Sequence, residues 1–297
     1  MSLTMSLPTH VPVLVKEAVE GLQAGPGKCF IDCTVGLGGH AAAILEKISP
    51  QGKLLGIDAD PEAIRIAQAK LSNYGEELIL VNGNFANLET ICSEYYFYPV
   101  DGILFDLGVS SLQLDTAQRG FSFQRGAPLD MRFDPKQELT AANIVNTFPE
   151  RELARIIREY GEDIFSWHIA RRIVRNRPIT STLQLAQVVK QALGSRRTKI
   201  HPATRTFMAL RIAVNSELEN LKLALKQTIN LLRFRGRLVV ISYHSLEDRI
   251  VKKFMRCEAS NYTLELISRK VIKPTSLEIE SNPRSRSARM RIAERLR

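Results

Sequence analysis

The sequence predicts an α/β fold, a Rossmann-like parallel sheet with an inserted all-helical domain. Short apolar runs alternate with helical patterns in the first hundred residues, as in βαβ units whose sheet is covered on both faces. A basic stretch of short helical patterns interrupts this alternation, which then returns towards the C-terminus. The chain has 297 residues, the length of one large domain or two smaller ones.

Four strands and two helices are predicted in the first third of the chain. The strands are the apolar runs at 29–32, 54–58, 78–81 and 103–107. A helical pattern at 40–48 connects the first two strands. A second helix begins at Asp60-Pro61 and runs to Leu71, because aspartate caps a helix N-terminus and proline is tolerated at the first helical position.

The alternation stops after Leu107. Residues 108–139 contain several glycines and prolines without a sustained period, and a loop of this length is typically a lid or a binding loop. Three short helices are predicted after it, at 149–160, 163–176 and 182–193. We therefore predict a discontinuous core of residues 1–114 and 203–297, with a lid loop and an inserted helical domain at residues 115–202.

The last third returns to the α/β pattern. Apolar residues at helical spacing predict one long amphipathic helix over 203–232. A strand at 238–242, a helix at 246–255 and two last strands at 262–267 and 289–293 follow. These elements are expected to complete the sheet that the first third begins.

Composition excludes several classes of protein. Hydrophobic residues make up 44% and charged residues 24%, which is typical of a globular protein and not of a disordered or fibrous one. No apolar run approaches the ~20 residues that span a bilayer, and Met1 to Leu7 contain no basic segment of a signal peptide. The four cysteines are too few for a disulfide framework. We expect a soluble, cytoplasmic protein without a membrane partner.

Charge is unevenly divided along the chain. The net charge is −7 over residues 1–110, +9 over 151–211 and +6 over 269–297. A polyanionic partner bound by part of the molecule would explain this pattern, and so would a solvated helical surface. Three arginine-rich clusters would suit phosphate contacts: Arg171-Arg172, Arg175 to Arg177, and Arg196 to Lys199.

A glycine-rich segment from Asp32 to His40 follows the first strand and precedes a helix. Glycine lets the backbone approach a ligand closely, and a helix N-terminus directs N–H groups at an anion. A dinucleotide fingerprint would use Gly36, Gly38 and a small residue at Ala41. Asp32 disfavours that interpretation because its carboxylate would face a pyrophosphate. An acid there suits a cationic ligand such as S-adenosylmethionine, which carries an ammonium and a sulfonium.

Two further aspartates end predicted strands. Asp58 ends the second strand, where a carboxylate can accept hydrogen bonds from both hydroxyls of a ribose. Asp106 lies near the end of the fourth strand. Because the carboxyl ends of parallel strands meet at one crevice, we expect Asp32, Asp58 and Asp106 to line a single pocket.

Long motifs appear in order along the chain, and their likeness to one known family covers essentially the whole chain from His10 to Arg295. They are Asp32 to His40, Gly56 to Pro61, Asn84-Phe85, Phe105 to Asp115, Arg119 to Phe123, Pro128 to Arg132, His201 to Phe207, Arg211 to Glu217, Ser242 to Arg249 and Asn282 to Arg284. Together they closely resemble the bacterial small-subunit rRNA cytidine-N4 methyltransferase family (RsmH, also called MraW).

The resemblance implies a class I S-adenosylmethionine-dependent methyltransferase sheet with a helical insertion. The implied reaction transfers a methyl group from S-adenosyl-L-methionine to the N4 amine of a cytidine in 16S rRNA, near the decoding centre of the small ribosomal subunit. No metal and no obligate protein partner are implied, and a homodimer is left open. The residues that match the family's cofactor contacts are Gly38, Gly39, His40, Asp58, Phe85, Asp106 and Gln113.

The catalytic residue is left open by the sequence. Many amino-methyltransferases carry an Asp/Asn-Pro-Pro-aromatic motif after the fourth strand, whereas this chain reads Asp106-Leu107-Gly108-Val109. An enzyme must hold the cytosine amine and localise its lone pair, which is a task of positioning and electrostatics. Asp106, Asp130 and His244 are the candidates for this task. Three lid phenylalanines could stack an extruded base or anchor the lid: Phe121, Phe123 and Phe133.

Other activities fit the sequence less well. A carbon-5 methylase needs a nucleophilic cysteine, and Cys33 follows a strand without a Pro-Cys motif. The four cysteines form no paired clusters of the kind that hold zinc. A nicotinamide-dependent oxidoreductase could use the same sheet, although Asp32 argues against it. A ribosome-assembly factor that binds cofactor and RNA without methyl transfer remains a second alternative.

Overall fold

The computed structural model describes residues 12–194 and 201–297 of the chain. The predicted phosphate-binding cluster Arg196 to Lys199 lies outside the described residues. The chain divides into two compact units, one of Met1–Gly108 with Leu218–Arg297 and one of Val109–Glu217. The second unit therefore begins earlier and ends later than the predicted insertion at 115–202.

A single seven-stranded sheet forms the first unit, in the order β3-β2-β1-β4-β5-β7-β6. β1 to β5 are parallel, whereas β7 is antiparallel to both of its neighbours, β5 and β6. The strands are β1 (Cys29–Asp32), β2 (Lys53–Asp58), β3 (Leu78–Asn82), β4 (Val100–Asp106), β5 (Leu232–Ser242), β6 (Leu264–Leu266) and β7 (Arg289–Arg295).

Thirteen α-helices lie within the described residues. They are α1 (Val15–Leu22), α2 (Gly39–Ile48), α3 (Pro61–Lys70), α4 (Leu88–Glu94), α5 (Ser111–Asp115), α6 (Ala141–Thr147), α7 (Glu150–Gly161), α8 (Ser166–Arg175), α9 (Thr182–Leu193), α10 (Thr204–Asn215), α11 (Glu217–Leu231), α12 (Ser245–Ser260) and α13 (Ser276–Ser281). None of these described helices combines the length and the apolar character that a bilayer crossing requires.

Both faces of the sheet are buried, as the apolar runs predict. Successive residues of a strand point to opposite faces. Leu55 and Ile103 therefore belong to the apolar cluster on one face, and Leu54 and Leu104 belong to the cluster on the other. All four are fully buried. The sheet thus has a core on each side and presents only its edges and strand ends to ligands.

The prediction of one long helix over 203–232 is wrong. The chain breaks at Ser216, which adopts a left-handed conformation with φ 50° and separates α10 from α11. Asn215 just before the break accepts a hydrogen bond from the backbone N–H of Phe133 at 2.7 Å and donates one to the carbonyl of Met131 at 2.8 Å. These contacts tie the end of α10 to the lid loop.

The second unit is a helical bundle with its own core. Leu153 and Ile157 of α7, Ile169 of α8 and Leu210 of α10 are all fully buried in one apolar cluster. The lid loop joins this cluster through Phe121, which is stacked on Phe133 with ring centroids 5.6 Å apart. The helices predicted in this region are confirmed to within a few residues at each end.

Candidate cofactor-binding and active site

The register of the sheet brings three aspartates to one edge of the first unit. Asp32, the last residue of β1, pairs with Gly56 of β2 and with Leu104 of β4. Asp58 and Asp106 each lie two residues beyond those partners and end their own strands. The predicted convergence of the three carboxylates is therefore a property of the strand pairing.

Asp32 is buried, and one of its two carboxylate oxygens has no hydrogen-bond partner among the described residues. Oδ1 accepts a hydrogen bond from the backbone N–H of Thr34 at 3.1 Å, whereas Oδ2 is a buried atom with no hydrogen-bond partner among the described residues. Burial raises the pKa of Asp32 to about 6, against the opposing effects of His40 and of the Thr34 N–H, while Asp106 and Asp58 raise it further. A carboxylate in this state favours a proton or a cationic ligand.

Asp58 holds the glycine-rich loop against the end of β2. Its Oδ2 accepts from the N–H of Gly36 at 2.8 Å, and its Oδ1 accepts from the N–H of Asp60 at 2.9 Å. Gly36 has φ 51°, and apart from its two chain neighbours the carbonyl oxygen of Thr34, at 3.8 Å, is the nearest described atom to the point where a side chain would begin. The carboxylate of Asp58 thus fixes the loop, and the space beside Gly36 is open to a ligand.

The loop leads into the N-terminus of α2. Gly38 caps this helix in the left-handed conformation, with φ 75°, and a methyl group there would lie 2.9 Å from Leu71. Gly39 is equally close-packed, against Pro12. The N–H groups of Gly39 and His40 stand in the first turn, where a helix supplies no acceptor for them. Such N–H groups suit an anionic group of a ligand, for instance a carboxylate.

His40 connects this helix to Asp106. Its Nε2 lies 2.9 Å from the carbonyl oxygen of Val13, which can only accept, so Nε2 carries a proton. Its Nδ1 lies 3.5 Å from Oδ2 of Asp106. The imidazole therefore lies directly beside the carboxylate of Asp106.

Asp106 is also held by Tyr243 and Thr34, two residues that are not among the predicted site residues. Oδ1 of Asp106 accepts a hydrogen bond from the hydroxyl of Tyr243 at 2.8 Å, and the backbone N–H of Asp106 donates to Oγ1 of Thr34 at 2.7 Å. Burial raises the pKa of Asp106, whereas His40 and the Tyr243 hydroxyl oppose that rise. Tyr243 follows the end of β5, so the strand-end pattern that found the aspartates could have indicated it.

Phe85 lies beside the same edge of the sheet. It follows β3 and meets Phe105 of β4 edge to face, with ring centroids 5.6 Å apart and an angle of 84° between the rings. Its side chain is half-buried. A partly exposed aromatic ring at this position fits the predicted contact with an adenine, because such rings prefer stacked or edge-to-face partners.

The residues present fit S-adenosylmethionine. The buried Oδ2 of Asp32 matches a cationic group, the first turn of α2 matches a carboxylate, and Asp58 at the end of β2 matches ribose hydroxyls. A pyrophosphate would instead place negative charge close to Asp32, whose carboxylate already meets the repulsion of two neighbouring aspartates.

Two predicted site residues belong to the second unit. Gln113 forms a capping box at the start of α5, in which its Oε1 accepts from the N–H of Ser110 at 3.1 Å. Asp130 forms an ion pair with Arg132, whose Nε and Nη2 atoms lie 2.9 and 2.7 Å from its two carboxylate oxygens. Although partial burial acts to raise it, the pKa of Asp130 is lowered by these bonds to Arg132.

His244 caps α12. Its Nδ1 accepts from the backbone N–H of Glu247 at 3.4 Å, and its Nε2 lies 3.1 Å from Oε1 of Glu247 without hydrogen-bond alignment. The carboxylate of Glu247 in turn accepts from the N–H of Tyr243 at 2.8 Å. His244 is thus engaged in fixing the turn that presents Tyr243 to Asp106.

The remaining candidates are buried or half-buried in the packing of their own unit. Phe123 contacts His201 and Phe207, with ring centroids 4.5 and 4.8 Å away, and Phe121 and Phe133 stack on each other. The three phenylalanines therefore anchor the lid in the second unit. Burial raises the pKa of the Cys33 thiol well above its usual value, so this cysteine is a poor nucleophile.

The strand order, with antiparallel β7 between β5 and β6, and the carboxylates at the ends of β1, β2 and β4 define a class I S-adenosylmethionine-dependent methyltransferase fold. A solved structure of a candidate rRNA-methylase from Clostridium thermocellum has the same fold, with a TM-score of 0.50 and 13% identity, over 97% of this chain and 100% of that one. A model of the MraW methylase family matches residues 8–296, and the chain belongs to this family.

Curated relatives agree with the family assignment. A ribosomal RNA small subunit methyltransferase H of Dehalococcoides mccartyi is 53% identical over 97% of this chain and 86% of its own length. The protein of the same name from Thermomicrobium roseum is 50% identical over 97% of this chain and 94% of its own length. Membership in a methylase family replaces the alternative of a nicotinamide-dependent oxidoreductase.

Proposed function

We propose that this protein transfers a methyl group from S-adenosyl-L-methionine to the N4 amine of a cytidine in 16S rRNA, near the decoding centre of the small ribosomal subunit. It is an rRNA methyltransferase of the MraW family, and its substrate is small-subunit rRNA. The observation that carries the proposal is the meeting of Asp32, Asp58 and Asp106 at the carboxyl edge of a methyltransferase sheet.

The proposed cofactor-binding residues have separate tasks. Asp32 faces the cationic end of the amino-acid moiety, and the N–H groups of Gly39 and His40 face its carboxylate. Asp58 accepts the ribose hydroxyls, and Phe85 contacts the adenine. Gly38 shapes the turn that leads into α2, and Gln113 of the second unit is proposed as a further contact to the cofactor.

Asp106 is the proposed acceptor of the target amine. When bound, the cofactor would supply an electrophilic methyl group on a sulfonium and would leave as a neutral thioether. In its ionised form, Asp106 accepts a hydrogen bond from the amine, which localises the nitrogen lone pair, and its Oδ2 takes the proton that the amine loses. The Tyr243 hydroxyl at 2.8 Å and His40 at 3.5 Å hold this carboxylate and favour its ionised form.

Asp130 and His244 receive other roles in this proposal. The ion pair of Asp130 with Arg132 supports a structural task in the lid. The contacts of His244 with Glu247 support a task in positioning Tyr243. The helical unit is proposed to recognise rRNA through its basic surface, where Arg175 has no ion-pair partner in the described part of the chain and the guanidinium of Arg172 donates to the uncharged side chain of Gln191. The enzyme is proposed to act in the cytoplasm and without an obligate protein partner.

A methyl-transfer assay tests the proposal. The protein is incubated with isotopically labelled S-adenosyl-L-methionine and with 30S subunits from a strain that lacks the modification. The rRNA is then digested, and its nucleosides are identified by mass spectrometry. We expect label in N4-methylated cytidine. Label in another nucleoside would contradict the proposed target, and cofactor binding without any transfer would favour a ribosome-assembly factor.

A further inference from the structure

A surface groove of about 570 Å³ lies in the second unit, away from every residue of the proposed cofactor site in sequence. It is formed by α7, by the residue that precedes α7, and by the first turn of α8. Besides Glu152, the residues that line it are Pro149, Arg151, Ala154, Arg155, Arg158 and Trp167. Arg171 of α8 pairs with Glu150 of α7 at 3.2 Å, which fixes the two helices alongside each other.

One side of the groove is a row of arginines. Arg151, Arg155 and Arg158 recur at intervals of four and three residues, so they share one face of α7, and all three are exposed. Arg155 is paired with Glu159 at 3.2 Å. Arg151 and Arg158 have no ion-pair partner or hydrogen-bond partner within the described ranges. Their charges are therefore available to an anion.

The other side of the groove is Trp167. This residue is 52% exposed, and it is the only tryptophan of the chain. An exposed indole next to the apolar atoms of Pro149 and Ala154 leaves a large aromatic surface in water, which is unfavourable unless a partner covers it. A flat aromatic ring beside free guanidinium groups is a combination that binds a nucleobase and its flanking phosphates.

We propose that this groove binds an unpaired nucleotide of the rRNA substrate, with its base stacked on Trp167 and its phosphates bound by Arg151 and Arg158. This inference rests on the proposed function, since it assigns a second contact with the same RNA. The net charge of +9 over residues 151–211 supports a polyanionic partner. Stacking on an indole favours RNA over an acidic peptide, which would use the arginines but not the aromatic plane.

Fluorescence of the single tryptophan makes the contact directly observable. The full chain is titrated with single-stranded oligocytidylate, and saturable quenching of the Trp167 emission is expected. The same oligonucleotide with a fluorescent label then gives affinities by anisotropy for variants of the groove. Trp167→Ala is expected to weaken binding roughly 5- to 100-fold, the range for loss of one stacked base, whereas Trp167→Phe retains most of the affinity.

Variants of the arginines test the phosphate contacts. Arg151→Ala and Arg158→Ala are each expected to reduce the slope of log affinity against log salt by about 0.7, the value for one contact to a single strand. Lys226→Ala is the matched control, because Lys226 is an exposed cation of the first unit without a partner among the described residues. Its affinity and salt slope should equal those of the wild type.

Two results would overturn the inference. One is a Trp167→Ala variant that binds oligocytidylate as tightly as the wild type, and the other is equal quenching by polyglutamate, which would point to an acidic protein partner. Both readouts are independent of methyl transfer. Failure of the groove alone therefore leaves the wild-type assay on 30S subunits positive, while failure of the proposed function makes that assay negative.

Discussion

Asp58 combines a structural contact and a proposed binding contact on one side chain. Its two carboxylate oxygens accept the N–H groups of Gly36 and Asp60 at 2.8 and 2.9 Å. A carboxylate offers acceptor sites for about four hydrogen bonds, more than these two groups use. The same residue can therefore hold the glycine-rich loop in place and accept ribose hydroxyls.

Asp58→Asn is expected to weaken S-adenosylmethionine binding by about 10- to 100-fold, because hydrogen bonds to a charged acceptor contribute roughly 1.5–3 kcal/mol. Calorimetric titration of the cofactor measures this effect. Asp101→Asn is the control, since Asp101 also accepts a backbone N–H, that of Cys29 at 2.8 Å, but at the opposite end of the sheet. An Asp58→Asn variant with wild-type affinity would contradict the assignment.

Tyr243 controls the charge of Asp106 in the proposed mechanism. Burial raises the pKa of Asp106, and the Tyr243 hydroxyl opposes that rise. If the ionised carboxylate accepts the amine, activity is lost as the pH falls through this pKa. Tyr243→Phe removes the opposing hydrogen bond, so the pKa rises and the acid limb of the kcat/KM profile is expected to move to higher pH.

The pH profile separates this positioning role from simple packing. Phenylalanine fills nearly the same volume, so the variant is expected to fold and to regain activity above the shifted limb. Tyr262→Phe, at an exposed tyrosine beyond α12, is the control and should keep the wild-type profile. A uniform loss of rate at every pH, with the limb unmoved, would show that Tyr243 only supports the fold.

At this scale, residues that end strands could be predicted from sequence, and their partners could not. Asp32, Asp58 and Asp106 each follow an apolar run, which is a local signal. The bond from Tyr243 to Asp106 joins residues 137 positions apart, and only the pairing of β4 with β5 brings them together. The sequence pointed to His244 because it follows a strand end, whereas its observed contacts are those of a helix cap and its neighbour Tyr243 bonds Asp106.

At the level of elements, local sequence signals predicted where strands and helices begin better than where a helix breaks. β1 lies at the predicted residues, and α3 begins after Asp60, whose side chain accepts from the N–H of Glu62 as a helix cap should. The break at Ser216 has no glycine or proline to announce it. Side-chain bonds from Asn215 to the lid and the paired Arg211 and Glu217, 2.8 Å apart, hold the break in place, and these contacts depend on the tertiary fold.

The lid loop after β4 is a second case in which the sequence could not show the tertiary contacts. Phe121, Phe123 and Phe133 have the residue type of a base-binding lid, and the sequence alone allowed either that role or an anchoring one. Asp130 was a candidate for holding the target base. In the structure, the aromatic rings pack into the helical unit, and the carboxylate of Asp130 binds Arg132. The groove at Trp167 could not be predicted from the sequence, because it forms only where α7 and α8 lie side by side.

For the whole molecule, the division into an α/β unit and a helical unit follows from the sequence pattern, since the period changes where the charge changes. The position of the boundary between the two units does not follow from that pattern. The second unit extends from Val109 to Glu217 because the lid loop and α10 share the apolar cluster of the helices. Apolar spacing in 203–232 is helical throughout, so it could not show that α10 and α11 pack into different cores.

The buried carboxylate of Asp32 should make the stability of the whole protein depend on pH. Burial raises its pKa from the ordinary value of 3.8 to about 6 in the folded state. A group with a raised folded pKa favours folding fully below its unfolded pKa and loses that contribution as the pH rises through the folded value. The difference corresponds to about 3 kcal/mol of unfolding free energy, which the ionised Asp32 removes above about pH 6.

Asp32→Asn eliminates this titration. The unfolding free energy of the variant relative to the wild type is therefore expected to improve by about 2.5 kcal/mol between about pH 4 and pH 8, whatever the cost of the new amide at any single pH. Urea unfolding across this range measures the change, and Glu94→Gln, at an exposed residue of α4, should follow the wild-type curve. Parallel curves for Asp32→Asn and wild type would mean that Asp32 is ionised without penalty. The burial of an ionised Asp32 would then no longer explain why this pocket prefers a cationic ligand.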